Sequence, residues 1–232
     1  MAGAHGGLKG KGPFCYEANA HVPLIIAHPD GKPGTSCSAL TSHLDLLPTF
    51  VGMTGLPEEK KSAAVTGLPG HDFTVLLGDP EAAKINANRS GVLFNYVGIS
   101  TVDSKFLQAV MEGLATGKHP SLAEIDLSKR GLLSFTFDGR YKFARYYAPD
   151  TFNVPKTLEQ VFECNDVQLF DLKEDPDEVH NLALDREKNK ETILRLNTLL
   201  NDLMAKEVGV NDGKFLPEEV RPKKPPLNFE KP

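Results

Sequence analysis

The sequence lacks the features of a membrane protein, of a disulfide-stapled domain and of a nucleic-acid-binding protein. Its three cysteines, Cys15, Cys37 and Cys164, are odd in number and widely spaced, and no Cys-x-x-Cys pair suggests a zinc site. No apolar run approaches the roughly 20 residues that a membrane-spanning helix needs. Acidic residues outnumber basic ones by 31 to 26, so no broad cationic field is available for nucleic acid or an anionic bilayer.

The first residues also lack the basic and apolar stretches of a secretory signal peptide. Apolar residues make up 40% of the 232 residues, which is enough to bury a core. We therefore expect a soluble globular chain with no membrane span and no nucleic-acid partner.

Two apolar elements are predicted in the first part of the chain. Residues 21–27 form a continuous apolar run with a proline near its start, and a Pro/Gly turn follows the run. This pattern is typical of a short buried strand. Residues 42–55 predict a helix with Asp45 as its N-cap and Gly55 at its end.

The second part of the chain predicts a small antiparallel sheet covered by a helix. Strands are expected at residues 92–97, 132–137, 141–147 and 167–172, and helices at residues 104–115 and 190–208. The Asp138-Gly139 pair between the second and third of these strands is the strongest hairpin signal in the sequence. The acidic run at residues 174–178 lacks the ligand alternation and the glycine of an EF-hand calcium loop, so we predict a solvated turn there.

A glycine-rich stretch near the amino terminus concentrates residues that could bind an anion. Residues 3–12 contain five glycines together with His5, Lys9 and Lys11. Glycine lets backbone N–H groups converge, and lysine supplies a compact positive charge. A flexible loop with solvated lysines fits the same residues, and no Gly-x-x-x-x-Gly-Lys-Ser/Thr phosphate loop is present.

Five motifs in collinear order resemble the sulfatase family. They are Lys-Gly-Pro-x-x-Tyr-Glu at 11–17, Asp-Leu-Leu-Pro-Thr at 45–49, Gly-His-Asp-Phe at 70–73, Asp-Gly-Arg-Tyr-Lys at 138–142, and Leu-Phe-Asp-Leu through Asp-Pro to Asn-Leu-Ala at 169–183. Any one motif is weak, but five in order are a strong signal, and together they span about residues 3–205. The resemblance implies the C-terminal part of an alkaline-phosphatase-like α/β fold, with a small antiparallel sheet and a terminal helix as its C-terminal subdomain.

Residues 56–90 are turn-rich and charged, so we expect a domain boundary there, near residue 85. The resemblance implies that residues 1–85 are the last segment of the catalytic α/β domain, which is incomplete here. Residues 86–232 would form the C-terminal subdomain, including a tail from Leu216 that holds five prolines and is expected to be extended or disordered. Without neighbouring strands, the apolar run at 21–27 would be exposed and liable to self-associate.

Several features that the family uses for catalysis are missing from the sequence. Sulfatases oxidise the first residue of a Cys-x-Pro-x-Arg or Ser-x-Pro-x-Arg segment to formylglycine, their nucleophile, and no such segment occurs here. They hold Ca²⁺ or Mg²⁺ with an Asp-Asp pair and a later Asp-Asn or Asp-His pair, which are also absent. We expect the later pair to lie a few residues before Gly3. Formylglycine and the cation are therefore implied for the complete enzyme, with no metal ligand in this chain.

One substrate-binding residue of the family has a match near the amino terminus. A lysine a few positions before the Tyr-Glu pair contacts the sulfate group in the family, and Lys11 matches it best, with Lys9 as the competitor. His5 could line the same pocket, or it could make only local hydrogen bonds. An ammonium placed against the sulfate would stabilise the charge that develops as the S–O bond breaks.

The resemblance implies hydrolysis of sulfate esters in the full-length enzyme, on a sulfated small molecule or glycan, in the periplasm or the cytoplasm. Because this chain lacks the nucleophile and the metal ligands, we expect it to be inactive alone. A phosphoesterase or phosphonate monoester hydrolase of the same superfamily is an alternative, since phosphate and sulfate are both tetrahedral oxyanions. A non-catalytic interaction module is the third possible function.

Overall fold

The computed structural model of the protein describes residues 3–8, 10, 12–149, 154–209 and 216–221. The α-helices in these ranges are α1 Ala4–Gly7, α2 Glu17–Ala20, α3 Leu46–Gly52, α4 Glu58–Val65, α5 Ile99–Val102, α6 Ser104–Thr116, α7 Leu158–Cys164 and α8 Lys190–Glu207. The strands are β1 Val92–Tyr96, β2 Leu132–Phe137, β3 Tyr141–Tyr147 and β4 Asp166–Asp171. None of the helices in these ranges combines the length and apolarity that crossing a bilayer requires.

The four strands form one antiparallel sheet in the order β1-β2-β3-β4. Asp138 and Gly139 join β2 to β3, and Gly139 has a φ of 98°, a left-handed value that side chains disfavour. The Asp138 carboxylate accepts hydrogen bonds from the backbone N–H groups of Arg140 and Tyr141, at 2.9 and 2.7 Å. The predicted hairpin is confirmed, and all four predicted strands are present to within one residue at each end.

Helix α8 covers one face of this sheet. The core on that side consists of buried apolar residues from the sheet, α7, the 3₁₀ turn Leu182–Leu184 and α8: Phe143, Leu158, Val161, Leu169, Ala183, Ile193, Leu196 and Leu200. The α8 members follow at intervals of three and four residues, so they lie on one side of the helix. The predicted terminal helix and its apolar stripe are confirmed.

The amino-terminal segment covers the opposite face of the sheet. Cys15 has no exposed surface and packs in a second core with Leu133, Phe135, Ala144 and Phe170. Side chains alternate along a strand, so the sheet is buried on both faces. Residues before the predicted boundary near residue 85 thus contribute to the core around the sheet, while the boundary itself stays a prediction.

Residues 21–27 do not form the predicted strand. The backbone there is irregular, and every strand in the described ranges lies after residue 91. Leu24 is 48% exposed and Ile25 is 91% exposed. An apolar run becomes a buried strand only where a neighbouring strand offers backbone hydrogen-bond partners, and the described part of the chain offers none here.

The predicted helix at 42–55 is present in part and ends earlier than predicted. His43–Asp45 form a 3₁₀ turn with Ser42 as its N-cap, and the Asp45 carboxylate accepts a hydrogen bond from the Ser42 backbone N–H at 2.9 Å in a capping box. Asp45 directly precedes α3 and so occupies its N-cap position, as predicted, but its side chain makes no capping hydrogen bond to that helix. Helix α3 ends at Gly52, before the predicted end at Gly55.

The first residues of the predicted tail, 216–221, are folded. Leu216 is 1% exposed and its carbonyl accepts a hydrogen bond from Arg221 at 2.9 Å, while Glu218–Val220 forms a 3₁₀ turn. An extended tail is therefore wrong for residues 216–221, where an apolar side chain finds a buried position. Residues 222–232 lie outside the described residues.

Candidate functional site

Of the three predicted substrate-binding residues, His5 is described, whereas Lys9 and Lys11 lie outside the described residues. The His5 ring stacks on the ring of Tyr16, with centroids 3.7 Å apart and planes inclined by 14°. His5 has a φ of 50°, an uncommon left-handed value for a residue with a side chain. His5 is thus held against Tyr16, the first residue of the Tyr-Glu pair.

Tyr16 connects this stretch to the sheet. Its ring lies against that of Phe170 on β4, with centroids 6.0 Å apart and an interplanar angle of 47°. Tilted pairs at this separation are favourable because the edge of one ring meets the face of the other. Successive ring contacts therefore connect His5, through Tyr16, to Phe170 of the buried sheet.

Glu17, the other half of the pair, is 32% exposed and joins an ion cluster whose other two members are buried. Its carboxylate lies 2.5 Å from the Lys142 ammonium on β3, which lies 2.8 Å from the Glu178 carboxylate. Lys142 has no exposed side-chain surface and the Glu178 side chain is 1% exposed. The Glu178 carboxylate also accepts a hydrogen bond from the Glu17 backbone N–H at 2.7 Å. Three of the five sequence motifs meet at this point.

Sequence reasoning missed this cluster and placed Glu178 in a solvated turn. That prediction is wrong for Glu178, which is 3% exposed as a residue and has a left-handed φ of 53°. Lys142 carried a signal, because a lysine within a strand that is buried on both faces requires a carboxylate partner. The spacing along the chain does not say which carboxylate it is.

The backbone that follows Lys11 in sequence is held by Asn19 on α2. The Asn19 side-chain amide donates hydrogen bonds to the carbonyl oxygens of Gly12 and Phe14, at 3.1 and 2.8 Å. Gly12 is buried, and a Cβ at this position would lie 2.9 Å from the Phe14 ring. The end of the predicted anion-binding stretch is therefore fixed on the same short helix that Glu17 begins.

The buried cysteine beside this helix is a structural thiol. The Cys15 Sγ donates a hydrogen bond to the Gln168 side-chain oxygen at 3.1 Å, and that oxygen also accepts one from the Tyr146 hydroxyl at 2.8 Å. Burial raises the pKa of Cys15 to about 12, although the charge of Lys142 acts in the opposite direction. The group stays protonated at neutral pH and does not supply a nucleophile.

A second buried ion cluster connects the first part of the chain to α8. Asp45 accepts hydrogen bonds from Arg89 at 2.6 and 2.5 Å, and Arg89 also lies 2.5 Å from Glu207. The backbone N–H of His71 donates to Asp45 at 2.7 Å. Gly70 allows this approach, because a Cβ there would lie within 1.9 Å of the Leu44 carbonyl oxygen. These motif residues therefore stabilise the fold.

The metal site that the resemblance implies for a complete enzyme has no counterpart among the residues that the structure describes. Within the described ranges, no cluster of three or more His, Cys, Asp or Glu side chains could hold a cation. In the acidic turn, Asp175 accepts the backbone N–H groups of Val179 and His180, and Glu178 pairs with Lys142. No step of a reaction is therefore assigned to a metal or to formylglycine in this chain.

No protein-family model matches the chain. It is 24% identical to arylsulfatase K of Gallus gallus over 192 residues, which cover 82% of this chain and 26% of the chicken protein. It is 37% identical to arylsulfatase K of Homo sapiens over 54 residues, which cover 23% of this chain and 10% of the human protein. The chain thus spans about a quarter of the chicken relative's length.

The fold is also similar to that of a solved structure, BT4656 in complex with its substrate D-glucosamine-2-N,6-O-disulfate. The two superpose with a TM-score of 0.57 at 17% identity, over 90% of this chain and 33% of that chain. The four-stranded antiparallel sheet with its covering helix corresponds to the C-terminal subdomain of that fold, as the motifs predicted. The chain is therefore similar in sequence to part of arylsulfatase K, and its structure has part of the sulfatase fold.

Proposed function

We propose that this chain contributes the sulfate-binding segment of a sulfuric ester hydrolase, acting on a sulfated small molecule or glycan. The observation that supports the proposal best is the stacking of His5 on Tyr16 at 3.7 Å, next to the ion pair of Glu17 with the buried Lys142. These contacts hold His5 and the Tyr-Glu pair against the sheet, which a solvated loop would not need.

Lys11 is proposed as the sulfate contact, with Lys9 as the competing residue and His5 at the edge of the pocket. A lysine ammonium is a compact charge with three donors, which suits an oxygen of a tetrahedral anion. Its contribution would be electrostatic, since negative charge builds up on the ester oxygen as the S–O bond breaks. A sulfated glycan is the favoured substrate class because BT4656 is described with a disulfated glucosamine.

A sulfate titration of the 232-residue protein, followed by ¹H–¹⁵N NMR at constant ionic strength, tests this proposal. We expect saturable shifts of the amides in residues 3–19. Lys11→Ala should weaken the apparent affinity about tenfold or more, since a hydrogen bond to a charged group contributes about 1.5–3 kcal/mol. Lys84→Ala, which removes an exposed lysine elsewhere, is the matched control. Equal affinity of the Lys11→Ala variant and the wild type would refute the assignment of Lys11.

The same preparation should not hydrolyse p-nitrophenyl sulfate, with or without added Ca²⁺ or Mg²⁺. The chain contains no Cys-x-Pro-x-Arg or Ser-x-Pro-x-Arg segment, and Cys15 is a buried protonated thiol. Metal-dependent release of p-nitrophenol by the purified protein would contradict the proposed inactivity.

We also propose that the apolar residues at 21–27 mediate self-association of the isolated chain. Ile25 is 91% exposed and Leu24 is 48% exposed, and unpaired backbone beside apolar side chains favours pairing with another chain. Sedimentation velocity should show concentration-dependent association that Ile25→Lys reduces. A wild-type chain that stays monomeric at about 100 μM, a concentration at which transiently exposed apolar surface readily aggregates, would argue against it.

A further inference from the structure

We propose that Glu17, Lys142 and Glu178 form a clamp that positions the sulfate-binding segment. This inference rests on the proposed function, because it explains how that segment is held in place. The three residues are here called the Glu17 clamp. None of them is expected to touch the substrate, so they act as positioning residues.

The clamp holds Glu17 by both its backbone and its side chain. The backbone N–H donates to Glu178 Oε2 at 2.7 Å, and the side-chain Oε1 lies 2.5 Å from Lys142 Nζ. Lys142 is joined in turn to Glu178 Oε1 at 2.8 Å. Two contacts to groups with almost no exposed surface fix the direction of the chain at Glu17 as well as its position.

What Glu17 holds is the segment on both sides of the predicted lysines. Tyr16, which precedes it, carries the His5 ring at 3.7 Å. Asn19, two residues later on α2, donates hydrogen bonds to the carbonyl oxygens of Gly12 and Phe14. His5 lies before Lys9 and Gly12 lies after Lys11, so both flanks of the lysine-containing stretch depend on the placement of α2.

The net charge of the clamp allows a geometric effect on sulfate binding to be distinguished from an electrostatic one. Two carboxylates and one ammonium give it a net charge of −1 when all are ionised, and a negative charge near an anion site repels sulfate. The clamp can therefore help sulfate binding only through geometry. If it had no positioning role, removing the Glu17 charge would strengthen sulfate binding.

The Glu17→Gln substitution distinguishes the two effects, because loss of positioning lowers sulfate affinity whereas loss of the negative charge raises it. The substitution keeps the size of the side chain and the backbone contact to Glu178, but weakens the contact to Lys142. We expect sulfate affinity to fall about three- to tenfold, because apparent affinity scales with the fraction of molecules in the binding-competent arrangement. Glu174→Gln removes a carboxylate that is 67% exposed in the turn before Glu178, and should leave the affinity unchanged or slightly higher.

A second readout keeps the test independent of sulfate. The His5 ring protons should show ring-current shifts from Tyr16 in the wild type, and these should decrease in Glu17→Gln while the sheet amides keep their positions. Absence of sulfate binding by the wild type would refute the proposed function. The His5 ring-current shifts would then still test whether the clamp positions the segment. Unchanged ring shifts in Glu17→Gln, or sulfate binding as tight as in the wild type, would overturn the clamp.

Discussion

Replacing Asp45 with asparagine is expected to lower the free energy of unfolding by about 3 kcal/mol, the lower end of the range for a broken buried ion pair. The Asp45 side chain has no exposed surface, and its two oxygens accept hydrogen bonds from Arg89 at 2.6 and 2.5 Å. They also accept the backbone N–H groups of Ser42 and His71. Asparagine offers one acceptor oxygen instead of two and removes the charge that balances Arg89.

The expected loss is limited because Arg89 keeps a second partner. Its guanidinium lies 2.5 Å from the Glu207 carboxylate, so a buried positive charge is not left alone. The Asp45 cluster nevertheless connects the first part of the chain to the end of α8, and its weakening should be felt in both. Asp30→Asn is the matched control, since the Asp30 side chain is 92% exposed and should change stability by less than about 0.5 kcal/mol.

Urea unfolding followed by circular dichroism at 222 nm measures both variants, and the acid dependence adds a second check. Burial alone would raise the pKa of Asp45, but the hydrogen bonds from Arg89, His71 and Ser42 outweigh it and hold this pKa below its ordinary value. The Asp45 contribution is therefore present above the unfolded pKa of about 3.9 and is lost as pH falls through the lower folded value. In Asp45→Asn, the free energy of unfolding should depend less on pH in this acid range. A destabilisation below about 1 kcal/mol would contradict the expected contribution of the Asp45 pair.

The sheet and its helix could be predicted from the sequence because their signals are local. The Asp138-Gly139 turn fixes the register of β2 and β3 within a few residues, and the apolar stripe of α8 repeats along its own helix. The run at 21–27 shows where local reasoning fails. Its composition is that of a buried strand. Burial, however, requires a neighbouring strand, and the local sequence does not say whether one is present.

The anion-binding stretch stays a prediction, and its surrounding contacts could not be predicted from the sequence. Glycines, lysines and His5 indicated an anion-binding stretch, but the partner of each charged residue depends on long-range packing. Glu17 and Glu178 are 161 residues apart, and neither the spacing nor the local pattern connects them. The stacking of His5 on Tyr16 also requires a left-handed backbone at His5, which residue type alone does not predict.

Replacing Lys142 with methionine is expected to lower the free energy of unfolding by about 3–5 kcal/mol, because it leaves a buried carboxylate without its counter-charge. The Lys142 side chain is fully buried, and Glu178 is 1% exposed with its carboxylate 2.8 Å from the ammonium. Methionine matches the length and the apolar stem of lysine, so the change tests the charge more than the packing. Amide hydrogen exchange should rise first in residues 12–20, which the Glu17 clamp holds on the sheet.

A compensating substitution separates the missing charge from a packing defect. In the double variant Lys142→Met with Glu178→Gln, the amide oxygen of the glutamine can still accept the Glu17 backbone N–H, while the uncompensated buried charge at position 178 is gone. The Glu17 carboxylate also loses its lysine partner, but its side chain is 32% exposed, so water can solvate its charge. We expect more than about half of the lost stability to return, since the two sites are in direct contact and their effects are not additive. Lys173→Met, at a side chain that is 69% exposed, is the control and should have little effect. If the double variant is as unstable as the single one, the loss comes from packing around position 142, and buried charge pairing does not hold the amino-terminal segment on the sheet.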